Sequence, residues 1–438
     1  MRVSDSAIDA VPAAPGAADD AAVLRAGRRQ AIGAAVIGNV LEWYDFSAYA
    51  FVATIIAKQF FPAENDLAAL LSTFAAFGIG FLARPLGGIV IGRLADRRGR
   101  KFALILTILM MAGGTIAIGL IPGYQTLGYT APALLVLARL AQGFSTGGEW
   151  GGSTSFIVEW APDGRRGLFG SIHQASVSGG LLLGSGAAAS LSTLLTPAAM
   201  QDWGWRVPFL LGGLLLPVGL YLRRNIGETP AFRRALSEPP SSDTLPLLLA
   251  GRAFGFTILW TVTSYVMLSF MPTFTQKFAG LSRVEALWSS TAGNVALVLA
   301  IPVMGYLSDR VGRRPMLLTC TIGFIVLSYP IFWIIVWGSR LAVILPLQIC
   351  VSVLIAFFSG PGPASIAEIF PTRSRALWMS VGYSFAVAIF GGFAPYIATW
   401  LIDQTGSPLS PSFYVIACAA VSSVVIWRLK ETAHERLR

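Results

Sequence analysis

Charge is scarce in this chain. Asp, Glu, Lys and Arg make up 12% of the 438 residues against 55% hydrophobic ones, a balance that excludes a water-soluble domain of this length. Cysteine is nearly absent. Cys320, Cys350 and Cys418 each lie in an apolar stretch, which argues against a disulfide framework and against a metal site. The glycine-rich run GFSTGGEWGG, 143–152, lacks the Lys-Ser/Thr pair of a phosphate loop, so no ATPase module is expected. No pairing of a nucleophile with a base stands out, and an enzyme is not expected. Residues 1–24 lack the basic start and apolar centre of a cleaved signal peptide. Rich in Ala, Pro and Asp, they read as a disordered cytoplasmic tail.

Long hydrophobic runs take the place of what is missing. Runs of about 20 residues, enough to cross roughly 30 Å of hydrocarbon as helix, recur along the whole chain. Helix is the expected form because it satisfies its own backbone hydrogen bonds in lipid. The pattern predicts an all-α membrane protein with twelve transmembrane helices, at 31–57, 67–92, 102–121, 131–159, 168–195, 207–222, 253–272, 285–307, 316–337, 341–369, 376–402 and 412–427. Of the 32 lysines and arginines, Arg84 and Arg139 fall within spans, and Lys58, Arg206, Lys277, Arg283 and Arg340 fall in loops on one side. The rest fall on the other side, which the basic excess marks as cytoplasmic, with both termini there. The net charge of +10 reflects that bias and not a nucleic-acid partner.

The chain repeats itself. GRLADRRGRK, 92–101, after the second span matches GYLSDRVGRR, 305–314, after the eighth. EWAPDGRRG, 159–167, at the end of the fourth span matches EIFPTRSRA, 368–376, at the end of the tenth. Two pseudo-symmetric six-helix halves follow: an N-terminal bundle 25–222, a cytoplasmic linker 223–252, a C-terminal bundle 253–427 and a cytoplasmic tail 428–438. Slid onto the second half at the spacing of these loops, Glu42, Asp45, Arg84, Arg139, Glu149 and His173 fall on Gly255, Ile258, Leu297, Gln348, Phe358 and Gly382. None of these partners is ionisable. A duplicated scaffold repeats what holds it together, whereas a working site is free to diverge, so the unrepeated charges are the candidates for function.

The repeated loops resemble the signature that follows the second helix in the major facilitator superfamily: a glycine, an acid and a basic cluster in this order. RLAQGFSTGGEWGG, 139–152, resembles the fourth-helix motif of that superfamily, and GNVLEWYDF, 38–46, with ARPLGG, 83–88, resembles its metabolite:proton symporter branch. The resemblance implies alternating-access transport of carboxylates such as citrate, 2-oxoglutarate or shikimate, or of zwitterions such as proline and betaine. It would be driven by a proton gradient and need no cofactor. Osmosensing members of the branch carry a long C-terminal coiled coil. This chain ends soon after its last span, which weighs toward the organic acids.

A charge at mid-bilayer costs at least about 2.5 to 3.5 kcal/mol, so such residues face the bundle interior and have partners. Counting about 1.5 Å per residue puts Asp45 about 21 Å and Arg139 about 18 Å from the inner surface, at a common level. Asn39, Glu42, Asp45 and Tyr49 share one side of the first helix, and Arg139, Gln142 and Glu149 share one side of the fourth. The same count puts Arg84 about 25 Å and Glu149 about 27 Å below the outer surface, with His173 about 8 Å above the inner one. The expectation is a central site of Glu42, Asp45 and Arg139 and a deeper group of Arg84, Glu149 and His173. A substrate that engages an arginine would alter the proton affinity of the neighbouring carboxylate. Tyr265, Asn294, Gln348, Ser359 and Tyr383 are candidates to complete the pocket from the second half.

The loop motifs point to gating. Asp96, Arg97, Arg100, Glu159, Arg165 and Arg166 are expected to form one cytoplasmic charge network, and Asp309, Arg313, Glu368, Arg373 and Arg375 its twin. Solvated topology signals are the plainer alternative. Glycines at 143, 147 and 151 and at 180 and 184 mark faces where helix backbones approach closely. The expected function is proton-coupled symport of a small organic acid by a monomer in the inner membrane. A zwitterion symporter, a proton antiporter and a transport-inactive sensor are the alternatives.

Overall fold

The computed structural model describes residues 33–435 apart from 218–245 and short gaps at 34–35, 41, 64, 99, 148, 215–216, 339 and 372–374. Among the described residues the secondary structure is helical, and eight helices are long and apolar enough to cross a membrane. These are the second, fifth and seventh to twelfth expected spans: Asp66–Ile91, Arg166–Leu194, Leu247–Phe278, Arg283–Val311, Arg313–Gly338, Leu341–Ala367, Leu377–Thr405 and Ser410–Trp427. The first span is a bent pair, Val36–Phe51 and Ala53–Phe60, at 64°. The third is the apolar helix Arg100–Leu120, the fourth is broken into Thr130–Ser145 and Glu149–Glu159, and the sixth is described over Val207–Leu214.

The helices outrun the apolar stretches that predicted them. The seventh starts at Pro246, inside the expected linker, and the second continues to Arg98. Hydropathy marks only the part in hydrocarbon, whereas backbone hydrogen bonding carries a helix on into the polar interface. Local signals set several ends. Ser282 and Glu285 form a capping box that starts the eighth span. Gly312 ends the same span at φ +111°, a conformation that favours glycine.

Glycine fixes how close the helices come. A Cβ on Gly143 would lie 1.6 Å from the Gly80 carbonyl oxygen, and one on Gly147 would lie 1.9 Å from that of Arg84, so the second and fourth spans touch backbone to backbone. Gly180 meets Trp43 and the Val40 carbonyl, and Gly184 meets Ser47, which brings the fifth span onto the first. Between the halves, Gly167 and Gly305 bring the fifth span against the eighth, and Gly78 and Gly392 seat the rings of Phe393 and Phe81 where the second span meets the eleventh. These contacts make a central seam. The seventh span is the most enclosed, 89% buried over its apolar window. Leu86, Leu299, Val326 and Trp337 are exposed on the perimeter, the side a bilayer would cover.

Candidate functional site

The intramembrane charges gather in the N-terminal half, in an order the depth count does not give. Arg84 pairs with Glu42, Nη2 to Oε1 at 3.9 Å, and both are buried. The Arg84 guanidinium also lies 4.7 Å from the ring centre of Phe81, 4.9 Å from Phe46 and 5.6 Å from Trp43, an aromatic bed that favours a cation. Arg84 thus belongs with Glu42 and not with a deeper group. Counting along straight, upright helices fails here because the first span bends and the second approaches the fourth at its glycines.

Asp45 and Arg139 share a level but make no direct ion pair. The Asp45 Oδ2 accepts from the Thr115 hydroxyl at 2.9 Å, Gln142 Nε2 donates to that hydroxyl at 2.7 Å, and Arg139 Nη1 donates to Gln142 Oε1 at 3.1 Å. Arg139 stacks on Tyr49, its Cζ 3.7 Å from the ring centre, and the Tyr49 hydroxyl donates to the Thr73 carbonyl at 3.0 Å. Gly212 of the sixth span makes room for the carboxylate, since a Cβ there would come within 2.4 Å of Asp45 Oδ1. Carboxylate and guanidinium are joined by two neutral side chains, a chain of hydrogen bonds able to pass a change at one end to the other. Nε and Nη2 of Arg84 and of Arg139 are buried without an acceptor in the described protein.

His173 sits apart. Its Nε2 lies 2.9 Å from Ser153 Oγ and 3.4 Å from Thr154 Oγ1, and the ring packs edge-on against Trp150. Asn39 Nδ2 donates to Ser176 Oγ at 3.2 Å, and Ser176 in turn donates to the His173 carbonyl. The Glu149 side chain lies outside the described residues, so the expected deeper group reduces to His173 among hydroxyls.

A cavity of ≈ 40 Å³ separates the halves, room for about three waters. Its wall is aromatic: Trp43, Phe46 and Phe77 from the first half, Trp260, Tyr265 and Tyr383 from the second. Serine hydroxyls, Thr261 and Gln174 supply the polar part, and among the described residues no Asp, Glu, Lys, Arg or His lines it. The described charged candidates therefore do not line the cavity, and Arg84 packs on Trp43 and Phe46, which do. Of the residues expected from the second half, Tyr265, Ser359 and Tyr383 line the cavity. Asn294 instead donates to Ser185 across the seam at 3.2 Å, and Gln348 donates to the Met267 carbonyl at 2.7 Å. The π-helical turn Ser264–Phe270 in the seventh span aims Ser264, Tyr265, Leu268 and Ser269 inward. Sequence reasoning missed Trp260, whose indole donates to Ser359 at 3.0 Å, and Trp150, stacked on Tyr383 at 3.7 Å with the rings 3° apart. Trp43 and Phe46 stood inside the GNVLEWYDF motif, where the two carboxylates and not the rings mark a site.

Inner and outer faces are named here from the basic loops. On the inner face the described gating residues of the two halves bond to each other across the seam. Glu159 pairs with Arg375 at 3.0 Å and Arg166 with Glu368 at 3.0 Å, each bond joining the halves. Asp309 accepts from the backbone N–H groups of Gly167 and Leu168 at 2.8 and 2.9 Å, capping the positive N-terminus of the fifth span, and binds Arg313 at 2.8 Å. Repeated motifs face each other across a pseudo-two-fold, which is why their charges pair between copies. Arg165 is exposed. The side chains of Asp96, Arg97 and Arg100, and Arg373 entirely, lie outside the described residues.

The C-terminal tail is part of this network. Glu431 accepts from the backbone N–H groups of Arg313 and Arg314 at 2.9 Å each, Thr432 donates to Glu368, and Arg166 donates to the Glu435 carbonyl. Burial pushes the Glu431 carboxyl up, but N–H donors from Arg313, Arg314, Ala433 and Thr432 outweigh it and hold the group below its ordinary value. The outer face is closed too, by Lys277 on Asp66 at 2.5 Å, Arg283 on Thr54 at 3.0 Å and the rings of Phe74 and Phe270.

Two bundles joined by a seam, a cavity between them and ion pairs that bridge the halves give the architecture of a membrane transporter. Sequence models agree by region: residues 31–237 match "Sugar (and other) transporter" and residues 254–438 match "Major Facilitator Superfamily". The proline/betaine transporter of Escherichia coli K12 is 34% identical over 426 residues, covering 94% of this chain and 85% of that one. The citrate-proton symporter of Klebsiella pneumoniae is 34% identical over 446 residues, covering 100% and 98%. A crystal structure of a D-xylose-proton symporter superposes with a TM-score of 0.73 at 18% identity, over 93% of this chain and 99% of that one. The chain belongs to the major facilitator superfamily, in its metabolite:proton symporter branch, and has the twelve-helix fold of that superfamily.

Proposed function

We propose that this protein is a proton-coupled symporter of a small zwitterion bearing a carboxylate and an ammonium or quaternary ammonium group, of the proline or betaine type. It would work in the inner membrane with both termini cytoplasmic and with the proton gradient as its only driving force. The observation that carries this reading is the aromatic cavity wall, free of charged side chains among the described residues, with Arg84 packed on two of its rings, Trp43 and Phe46. Aromatic faces attract an onium group, most strongly where water is excluded. A net-neutral solute fits a wall without charge, whereas a tricarboxylate would need several cations on it. The similarity to named proline/betaine transporters supports the same class.

Coupling follows from the ion pair of Arg84 and Glu42. A cargo carboxylate that takes donors of Arg84 draws the guanidinium from Glu42, and a buried carboxylate relieved of its cation favours its protonated form. Proton and cargo then promote each other's binding. Asp45, wired to Arg139 through Thr115 and Gln142, is a second protonatable group. Two arginines with unpartnered donors keep an organic acid as the second reading, together with the full-length similarity to a citrate-proton symporter.

Uptake into proteoliposomes under an imposed pH gradient separates the two. Labelled glycine betaine should accumulate and the accumulation should collapse with a protonophore. Citrate accumulation with no betaine uptake would overturn the zwitterion reading.

A further inference from the structure

Few cations fall on the outer face, and three of them converge. Lys58 near the end of the first span, Lys277 near the end of the seventh and Arg283 at the start of the eighth line one crevice of ≈ 170 Å³ between the halves. Asp66 is the carboxylate on that wall, so the described lining carries three cations to one anion. A cleft whose lining carries an excess of one sign of charge concentrates ions of the other.

Two of the polar ties between the halves near this face use those cations, while a third, the Trp288 indole donating to Thr193 at 3.1 Å, does not. Lys277 of the second half holds Asp66 of the first at 2.5 Å, and Arg283 Nη2 donates to Thr54 Oγ1 at 3.0 Å. The second tie is weak of its kind, since a guanidinium there bonds a neutral hydroxyl. A carboxylate offers it a charged, two-pronged acceptor instead, and such bonds are roughly twice as strong.

We propose that this crevice is an outer docking subsite for a small carboxylate, held by Arg283, Lys277 and Lys58, and that its occupation loosens the ties to Thr54 and Asp66. The incoming carboxylate competes with both first-half acceptors, so the arrival of cargo favours separation of the outer ends. The idea that the docked carboxylate belongs to transported solute rests on the function proposed above; the anion-selective crevice does not.

The test uses the full-length protein carrying Gln276→Cys, which places a thiol on the crevice wall. Reaction rates are measured with an anionic sulfonatoethyl and a cationic trimethylammonioethyl methanethiosulfonate, each normalised to its rate with a free thiol and corrected for the protein without the added cysteine. The anionic reagent should be favoured by about tenfold or more, and Lys58→Gln with Arg283→Gln should remove most of that preference. Equal normalised rates, or a preference untouched by the two neutralisations, would overturn the site. In transport, the same double variant should raise KM for the cargo several-fold with little change in maximal rate; an unchanged KM would overturn the recruiting role. Absence of transport of any carboxylate-bearing solute, with the reagent preference intact, would instead count against the proposed function alone.

Discussion

Arg84 and Glu42 are held together at 3.9 Å, buried, and the Arg84 guanidinium packs on Trp43 and Phe46, two rings that line the central cavity. That distance is long for a buried ion pair, and Arg84 keeps two donor nitrogens without a hydrogen-bond acceptor. A pair so loosely made is poised to be exchanged for a bond to cargo.

The first prediction concerns that exchange. Glu42→Gln imitates the protonated carboxyl, so binding and solute exchange should persist while accumulation against a gradient is lost. Arg84→Lys keeps the charge but loses the planar fork, and affinity should fall about tenfold or more. Counterflow and pH-driven uptake, measured side by side, read the two effects. Uphill transport retained by Glu42→Gln would remove it from coupling.

A second prediction separates cargo classes. Trp260→Ala deletes one face of the aromatic wall, a loss of about 0.5 to 2 kcal/mol for an onium ligand, or roughly 2-fold to 30-fold in affinity. Trp260→Phe should recover part of it. Equilibrium binding of glycine betaine should follow this order, and an order independent of aromaticity would argue against a cation–π role.

Packing supplies a third. Gly143→Ala forces a methyl group to within 1.6 Å of the Gly80 carbonyl oxygen, so the second and fourth spans must part. A loss of about 1 to 3 kcal/mol or more is expected, seen as a lower unfolding temperature in detergent. Gly152→Ala, with nothing within 4 Å of the new methyl, should be neutral or stabilising by up to about 1 kcal/mol.

The fourth concerns the inner gate. Glu159→Gln leaves the buried Arg375 without its carboxylate, a change that typically costs about 3 to 5 kcal/mol and here falls on the closed inner face. A cysteine at Ala364, beside Gly170 in the seam, should then react faster with a permeant maleimide, and exchanging both charges, Glu159→Arg with Arg375→Glu, should restore protection. Glu431→Gln should act in the same direction with a pH signature. Because the closed face holds this carboxyl below its ordinary value, its contribution is complete above that value and is lost as pH falls through the depressed one. The difference between Glu431→Gln and the parent should therefore be largest near neutral pH and shrink in acid.

Hydropathy and the duplicated loops determined the class of fold, the two halves and the unequal charge of the two faces. Each of these rests on local chemistry: how many apolar residues span hydrocarbon, which loops hold arginine, what recurs at a fixed spacing. The glycine faces at 143, 147, 180 and 184 were legible for the same reason, since a missing side chain is visible in the sequence. Which charges meet was not legible. Arg84 reached Glu42 and not His173, and Arg139 reached Asp45 only through Gln142 and Thr115, because helix bends and crossings are set by packing that no depth count contains.

The cavity wall was legible only in part. Tyr265 and Tyr383 stood among the expected pocket residues and Trp260 did not, and only the docking of two bundles joins Trp260 and Tyr383 of the second half to Trp43 and Phe46 of the first as one surface. Tertiary structure likewise paired the charges of the segments 159–167 and 368–376 with each other across the seam, Glu159 with Arg375 and Arg166 with Glu368. The sequence by itself determined that charge is buried in this membrane protein. The fold decided what that charge touches, because contact between distant spans depends on the geometry of the whole bundle.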